Sequence, residues 1–334
     1  MTIKLKPLSE QVLLITGASS GIGLVTARSA AMRGAKVLLV ARDGEALRRA
    51  VDEIVRAGGT ADFAVADVGD APQVAAAADH AVQCWGRIDT WVNDAGVGIV
   101  AKLVETPLAE HHRIFRTNYF GVVNGATEAV RHLRERGGAL VTVASVASDV
   151  PAPMLGAYAA TKHAVKAFIE TLRMELLADE APISVTLVKP SGIDTPFALH
   201  SANHAPGAAQ IPKPVYAPEL VAEAILDAAE RPRRDVTIGG AGRLQALLAM
   251  HFPALLDRMS GFLIRQTYYA AKTPRERSTL FQPSGRHRPH SGSLEPRRVS
   301  LYTAARRHPV ATLAGAVALT AIAGTALSRR RHRG

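Results

Sequence analysis

The sequence predicts an α/β domain on a doubly wound, seven-stranded parallel sheet, followed by a basic C-terminal linker and a candidate transmembrane helix. Three observations predict it. Seven short apolar runs alternate with amphipathic helical stretches through the first 240 residues, the first run leads through a glycine-rich turn into a helix, and the composition changes abruptly after residue 270. Strands alternating with helices require right-handed crossovers, and these lay helices on both faces of a parallel sheet.

The strands are expected at 12–16, 36–41, 61–66, 88–93, 139–145, 183–190 and 235–239, and the helices at 23–33, 44–57, 73–85, 110–134, 155–178 and 218–230. Residues 1–10 are short of apolar character, so no secretory leader is expected there. Residues 194–216 are rich in Pro, Ala, His and Asn without periodicity, and such a long mobile loop is expected to lie over the substrate. Residues 244–270 are rich in Leu, Met and Phe and are interrupted by Pro253 and Gly261. They read as a helix pair packed on the core and walling the substrate site, with membrane contact as the alternative. Trp85 and Trp91 are assigned to the core.

The formal net charge of +11 resides entirely in the tail: residues 1–270 carry 27 basic and 27 acidic side chains, residues 271–334 carry 13 and 2. The charge therefore describes an appendage, and with only 5% aromatic residues there is no stacking platform for single strands, so no nucleic-acid partner is expected. Residues 271–308, rich in Pro, Ser, Gly, Arg and His, read as a disordered basic linker joining the 1–270 domain to an apolar stretch. That stretch, residues 309–327, is uncharged, with a mean hydropathy of about +1.7, and at ~1.5 Å per residue it matches a bilayer core. A basic end, 328–334, closes the chain. The single cysteine, Cys84, excludes a disulfide framework and reads as a small buried hydrophobe. The histidines show no metal-binding spacing, so no metal is expected.

The chemistry begins at Thr16-Gly17-Ala18-Ser19-Ser20-Gly21-Ile22-Gly23, where a strand turns into a helix. Glycines there let the backbone approach a pyrophosphate, and the helix points its N-terminal amides at the charge. The second strand ends at Ala41 without the acidic residue that would bind a ribose 2′-hydroxyl, and Arg42 comes next, which suits a 2′-phosphate. NADP(H) is therefore the expected cofactor. Asp67, at the end of the third strand, could accept from an adenine amine or cap the next turn. Tyr158 and Lys162 lie four apart and share a helix face. A free tyrosine titrates near ~10, and a neighbouring ammonium is expected to lower that value. Ser145 sits at a strand end, where its hydroxyl can hold a substrate carbonyl.

These motifs resemble those of the short-chain dehydrogenases/reductases across residues 9–240. Thr16–Gly23 is similar to the family's cofactor loop. Asn93-Asp94-Ala95-Gly96 is similar to its N-N-A-G motif, with Asp94 in place of the second Asn. Ser145 and the Tyr158/Lys162 pair match its catalytic set, as does Asn118, and Pro190-Ser191-Gly192-Ile193-Asp194-Thr195 resembles P-G-x-x-x-T with Ser191 in place of Gly. The resemblance implies a Rossmann fold and a homo-oligomer. It implies cofactor contacts from Ser19, Ser20, Ile22, Val68, Asn93, Ala95, Gly96 and Pro190, with Ile193 and Thr195 at the carboxamide and Lys162 on the nicotinamide ribose. Asn118 is implied to hold a water linking Lys162 to solvent. The function expected is NADP(H)-dependent hydride transfer to or from a small, apolar carbonyl or alcohol. The alternatives are a 3-oxoacyl-carrier-protein reductase, which residues 241–334 weigh against, and a non-catalytic NADP-binding sensor or scaffold, which has no need of the proton relay. A cytosolic cofactor and the missing leader place the catalytic domain on the cytoplasmic side of a membrane held through the C-terminal segment.

Overall fold

The structure is a computed structural model, and it describes residues 3–209, 211, 213–268, 278–283, 287–292, 294–300 and 302–303. Seven strands, β1 (Val12–Thr16), β2 (Lys36–Ala41), β3 (Thr60–Val65), β4 (Thr90–Asn93), β6 (Gly138–Val143), β7 (Ile183–Pro190) and β9 (Asp235–Ile238), form one sheet in the order β3-β2-β1-β4-β6-β7-β9. Every pairing is parallel. Two short strands, β5 (Ile99–Val100) and β8 (Ala202–Asn203), pair separately beside it. The connecting helices are α1 (Gly21–Ala31), α2 (Gly44–Arg56), α3 (Ala71–Trp85), α4 (Leu108–Phe115), α5 (Gly121–Leu133), α6 (Gly156–Ala178), α7 (Phe197–His200), α8 (Pro218–Glu230), α9 (Gly240–His251) and α10 (Pro253–Tyr268).

Both faces of the sheet are covered, which is why the central strands read as unbroken apolar runs. Leu13 and Ile15 of β1 pack with Leu24, Val221 and Ile225 on one face, and Leu14 packs with Trp91, Val122 and Val165 on the other. Trp91 is fully buried, and Trp85 packs against the same core half-buried. Local signals start the outer helices: Asp43 accepts from the Ala46 amide at 3.0 Å and Asp70 from the Gln73 amide at 3.2 Å. The single helix expected over 110–134 is instead two, α4 and α5, joined by a π-helical turn at Arg116–Phe120. A single wider turn alters the backbone hydrogen-bond ladder locally, which the side-chain pattern of a helix this long does not resolve.

Three expectations are corrected. Cys84 is exposed on α3, not buried. It lies within 3.5 Å of Asp62 and 3.7 Å of His80, and these donors cluster within 4.8 Å of one another. The stretch 271–308 is not simply a disordered linker, because its described parts pack on the body: Leu280 is buried against Val97 and Ile114, and Arg297 bridges to Tyr216. The long loop over 194–216 contains α7 and β8. The candidate spanning segment 309–327 and the basic end 328–334 lie outside the described residues. Among the described residues, no helix is long and apolar enough to cross a membrane.

Candidate active site

The order of the strands reverses between β1 and β4, and the crevice outside their carboxyl ends is where such sheets bind ligands. A cavity of about 710 Å³ opens there. Its floor is the loop after β1. Gly17 has φ +73°, and a Cβ on it would lie 2.8 Å from Ala95 Cα, so only glycine lets the β1 and β4 loops meet. Thr16 Oγ1 ties the same junction, accepting from the amides of Asp94 at 3.1 Å and Ala95 at 3.3 Å. Ser19, Ser20, Gly21 and Ile22 line the cavity, as do Ala95 and Gly96. Gly23 does not; a Cβ there would lie 2.7 Å from the Gly17 carbonyl, so its role is close packing of α1 onto the loop.

Arg42 and Asp67 stand at the carboxyl ends of β2 and β3 and line the cavity with Val68. Burial raises the Asp67 carboxyl, but the Gly69 amide and the Arg113 guanidinium outweigh that and hold it below the usual carboxylate range. Asp67 accepts from Gly69 N at 3.0 Å and from Arg113 Nη2 at 2.8 Å, so it both caps the next turn and forms an ion pair. Arg42 donates to backbone carbonyls of the C-terminal segment: Thr279 at 2.5 Å, Phe281 at 3.1 Å and Leu280 at 3.4 Å. At the other end of the cavity Pro190, Ile193 and Thr195 line the wall. Asn93 is not in the lining. Its side chain points into the core, where it accepts from Trp91 Nε1 at 2.9 Å.

Ser145, Tyr158 and Lys162 meet in the same cavity. Ser145 follows β6 and caps a short 3-10 turn, its Oγ accepting from the Ala147 amide at 3.1 Å, which leaves its proton for Tyr158, to which it is hydrogen-bonded. The Tyr158 ring packs against Phe197 with centroids 5.1 Å apart, and Lys162 Nζ lies 5.7 Å from the Tyr158 centroid. Burial pushes the Tyr158 hydroxyl up to about 12; the Ser145 hydrogen bond opposes this and Asp94 adds to it. The expected lowering by Lys162 is thus overridden by desolvation. Lys162 itself is brought down to about 8 by burial, against the attraction of Asp94, and donates to the Val143 carbonyl at 2.9 Å. Asp94 rises to about 7 through burial, with Lys162 and the Gly23 amide opposing. Asn118 is buried outside the lining, in the π turn. Its Oδ1 accepts from Val97 N at 2.8 Å, and its Nδ2 donates to the Val97 carbonyl at 3.0 Å and to Thr161 Oγ1 at 3.1 Å. It therefore fixes the Gly96–Val97 backbone beside Lys162.

The comparisons with known proteins agree with this geometry. Residues 11–205 match the family model for short chain dehydrogenase. The chain belongs to the short-chain dehydrogenase/reductase family. It is 41% identical over 328 residues to "Uncharacterized oxidoreductase YxnA" of Bacillus subtilis, covering 96% of this chain and 92% of that one. A short-chain dehydrogenase/reductase from Burkholderia phymatum, solved in complex with NAD, is 27% identical with a TM-score of 0.69, covering 75% of this chain and 96% of that one. An alcohol dehydrogenase from Thermococcus sibiricus, complexed with 5-hydroxy-NADP, is 26% identical with a TM-score of 0.60, covering 68% and 95%.

As a short-chain dehydrogenase/reductase the protein is an oxidoreductase whose fold binds a nicotinamide cofactor. The cleft fits such a dinucleotide: glycines where a Cβ would collide, serines and amides at the first turn of α1, and an arginine at the far end. The sequence singles out the cofactor and catalytic side of the lining but not the wall residues Phe197, His200 and Leu256, which the cavity also uses. Phe197 and His200 lie in the aperiodic loop and Leu256 in the apolar pair, where composition identifies a wall and not its members. Asp94 was visible only as a departure from the family's motif.

Proposed function

We propose that the protein is an NADPH-dependent reductase, interconverting an apolar carbonyl compound and its secondary alcohol. The observation that carries this is the union, in one cavity, of Ser145, Tyr158 and Lys162 with Arg42 directly after β2; Asp43, next in the chain, also lines the cavity, but its carboxylate caps α2 by accepting from the Ala46 amide. The bound dinucleotide supplies the hydride. The Ser145 and Tyr158 hydroxyls hold the substrate oxygen, and Tyr158 donates the proton that the new alkoxide takes. The Tyr158 hydroxyl keeps its proton in the resting cleft, so the proton is in place for the acid role, and the Lys162 ammonium beside the ring would stabilise the phenolate left behind.

The substrate end of the cavity is walled by Val146, Val150, Leu155, Phe197, Leu256 and Ile264, which favours an apolar compound. Leu244 and Met250 of α9, Leu255 and Phe262 of α10, and Phe252 between them are exposed on the helix pair that supplies part of this wall. With the uncharged stretch 309–327, this surface supports membrane association beside the cavity, the catalytic domain lying on the cytoplasmic face. The test offers a panel of apolar aldehydes and ketones and tracks oxidation of NADPH and of NADH. Turnover with NADPH preferred is expected; dinucleotide binding without turnover on any carbonyl would favour the sensor. Fractionation tests the location: the full chain should pellet with membranes and resist a high-salt wash, and release by salt alone would leave a purely electrostatic tail.

A further inference from the structure

The described parts of the C-terminal segment contact the cleft at both of its ends and over the glycine loop. At the Arg42 end, the carbonyls of Thr279, Leu280 and Phe281 take the Arg42 guanidinium, and Arg113 Nε donates to Leu280 O at 2.9 Å while its other arm holds Asp67. Leu280 is buried, and the Thr279 amide donates to His200 O at 2.8 Å. At the middle, the segment crosses the glycine loop. The Gly21 amide donates to Arg288 O at 2.9 Å, and the His287 ring bridges Ser19 O at 3.1 Å to Glu53 at 3.2 Å. At the far end, His290 joins Asp194 at 3.0 Å to Glu219 at 2.9 Å, and the Ser291 amide and hydroxyl both donate to Asp194, the neighbour of Thr195. Beyond that, Arg297 exchanges backbone hydrogen bonds with Val215 and Ala217 at 2.8 and 3.0 Å, and Thr303 accepts from the Gly239 amide at 3.2 Å.

We propose that the described segments 279–283, 287–292 and 294–300 form a clasp that closes over the dinucleotide and must open for cofactor exchange. The proposal rests on the dinucleotide reading of the cleft. Three features distinguish a clasp from a plug. The cavity of about 710 Å³ persists with the segment in place, it runs from Arg42 and Asp67 to Tyr158 and Lys162, and Thr279 and Pro283 form part of its wall. The segment therefore adds a wall to the site and leaves its volume free, while its carbonyls hold the Gly21 amide and part of the Arg42 guanidinium, which bound phosphates would share or displace. Its anchors lie at both ends of the cleft and over the loop between them, so an elongated ligand beneath cannot leave until at least one set of anchors lets go. Most of these contacts use backbone carbonyls and amides, so they impose a path on the chain that side-chain composition does not betray.

The test uses the full chain in two ways. Hydrogen exchange is measured at the amides of Thr279, Ser291 and Arg297 with and without saturating NADPH; slowing by at least about fivefold is expected at all three, because closure and occupancy stabilise each other. The release of NADPH is then timed by its fluorescence in the unaltered protein and in two variants, Leu280→Ala and His290→Ala/Ser291→Ala. Release should be about tenfold faster or more in each variant, with the association rate raised as well. Unchanged exchange together with unchanged release would overturn the clasp while leaving the dinucleotide site standing. Tighter or slower-leaving NADPH in the variants would overturn it in favour of a segment that competes with the cofactor. Absence of NADPH and NADH binding to the unaltered chain would remove the dinucleotide reading and the clasp with it.

Discussion

Replacing Asp94 with Asn should stabilise the protein more at pH 8 than at pH 5. Burial raises the Asp94 carboxyl from 3.8 to about 7, so the folded state holds a proton that the unfolded chain gives up. The sign is the reverse of the usual carboxylate: stability is lost as pH rises from about 4 to 7, because over that window the folded state binds more protons than the unfolded one. At ~1.4 kcal/mol per unit, a three-unit gap costs about 4 kcal/mol at pH 8 and about 1.5 kcal/mol at pH 5. Asp94 lines the cleft and meets water there, which trims the difference between the two pH values to about 2 kcal/mol. Asparagine keeps the acceptor for the Gly23 amide and cannot ionise, so the difference vanishes in the variant. Any constant cost of its extra N–H groups cancels between the two pH values. Urea unfolding of both proteins at pH 5 and 8 reads the quantity directly, and in thermal unfolding it corresponds to about 4–8 °C. An equal change in stability at both pH values would show that Asp94 is ionised in the folded protein throughout, and would refute the burial argument.

Arg42→Ala should weaken NADPH about 10- to 100-fold more than NADH, the scale of a charge-assisted contact to a 2′-phosphate; parallel titrations of the two dinucleotides check it, and equal losses would confine Arg42 to holding the C-terminal segment. Gly17→Ala should destabilise the protein by more than about 1 kcal/mol, since its φ is +73° and the added methyl meets Ala95 at 2.8 Å; a melting temperature within a degree of the parent would contradict the fit.

The sheet was legible because its central strands are buried on both faces and so read as continuous apolar runs. β3, at the edge and half-exposed, begins one residue earlier than the run suggests, since its burial contrast is weak. The chemistry was legible where it rests on short spacings: Tyr158 to Lys162 on one helix face, and the glycines of the first loop. Proton affinities were not. The lysine beside Tyr158 suggests a lowered hydroxyl, but burial is the larger effect and only the packed cleft reveals it. The exposure of Cys84 was hidden because α3 is alanine-rich over 75–78 and offers little contrast between its faces. The C-terminal segment was hidden for another reason: Thr279, Leu280, Phe281 and Arg288 bind through carbonyl oxygens, which every residue carries.

The most direct test of the central claim is Tyr158→Phe, measured with both dinucleotide binding and hydride transfer. The ring keeps its place against Phe197, and only the hydroxyl that meets Ser145 is lost. NADPH should bind within about threefold of the parent, while reduction of a carbonyl substrate falls by about 10²- to 10⁴-fold, the range for removing a positioned general acid. Turnover by the Phe variant within a few-fold of the parent would contradict the assignment of Tyr158 as the proton donor, and with it the account of this cleft as a carbonyl-reducing site.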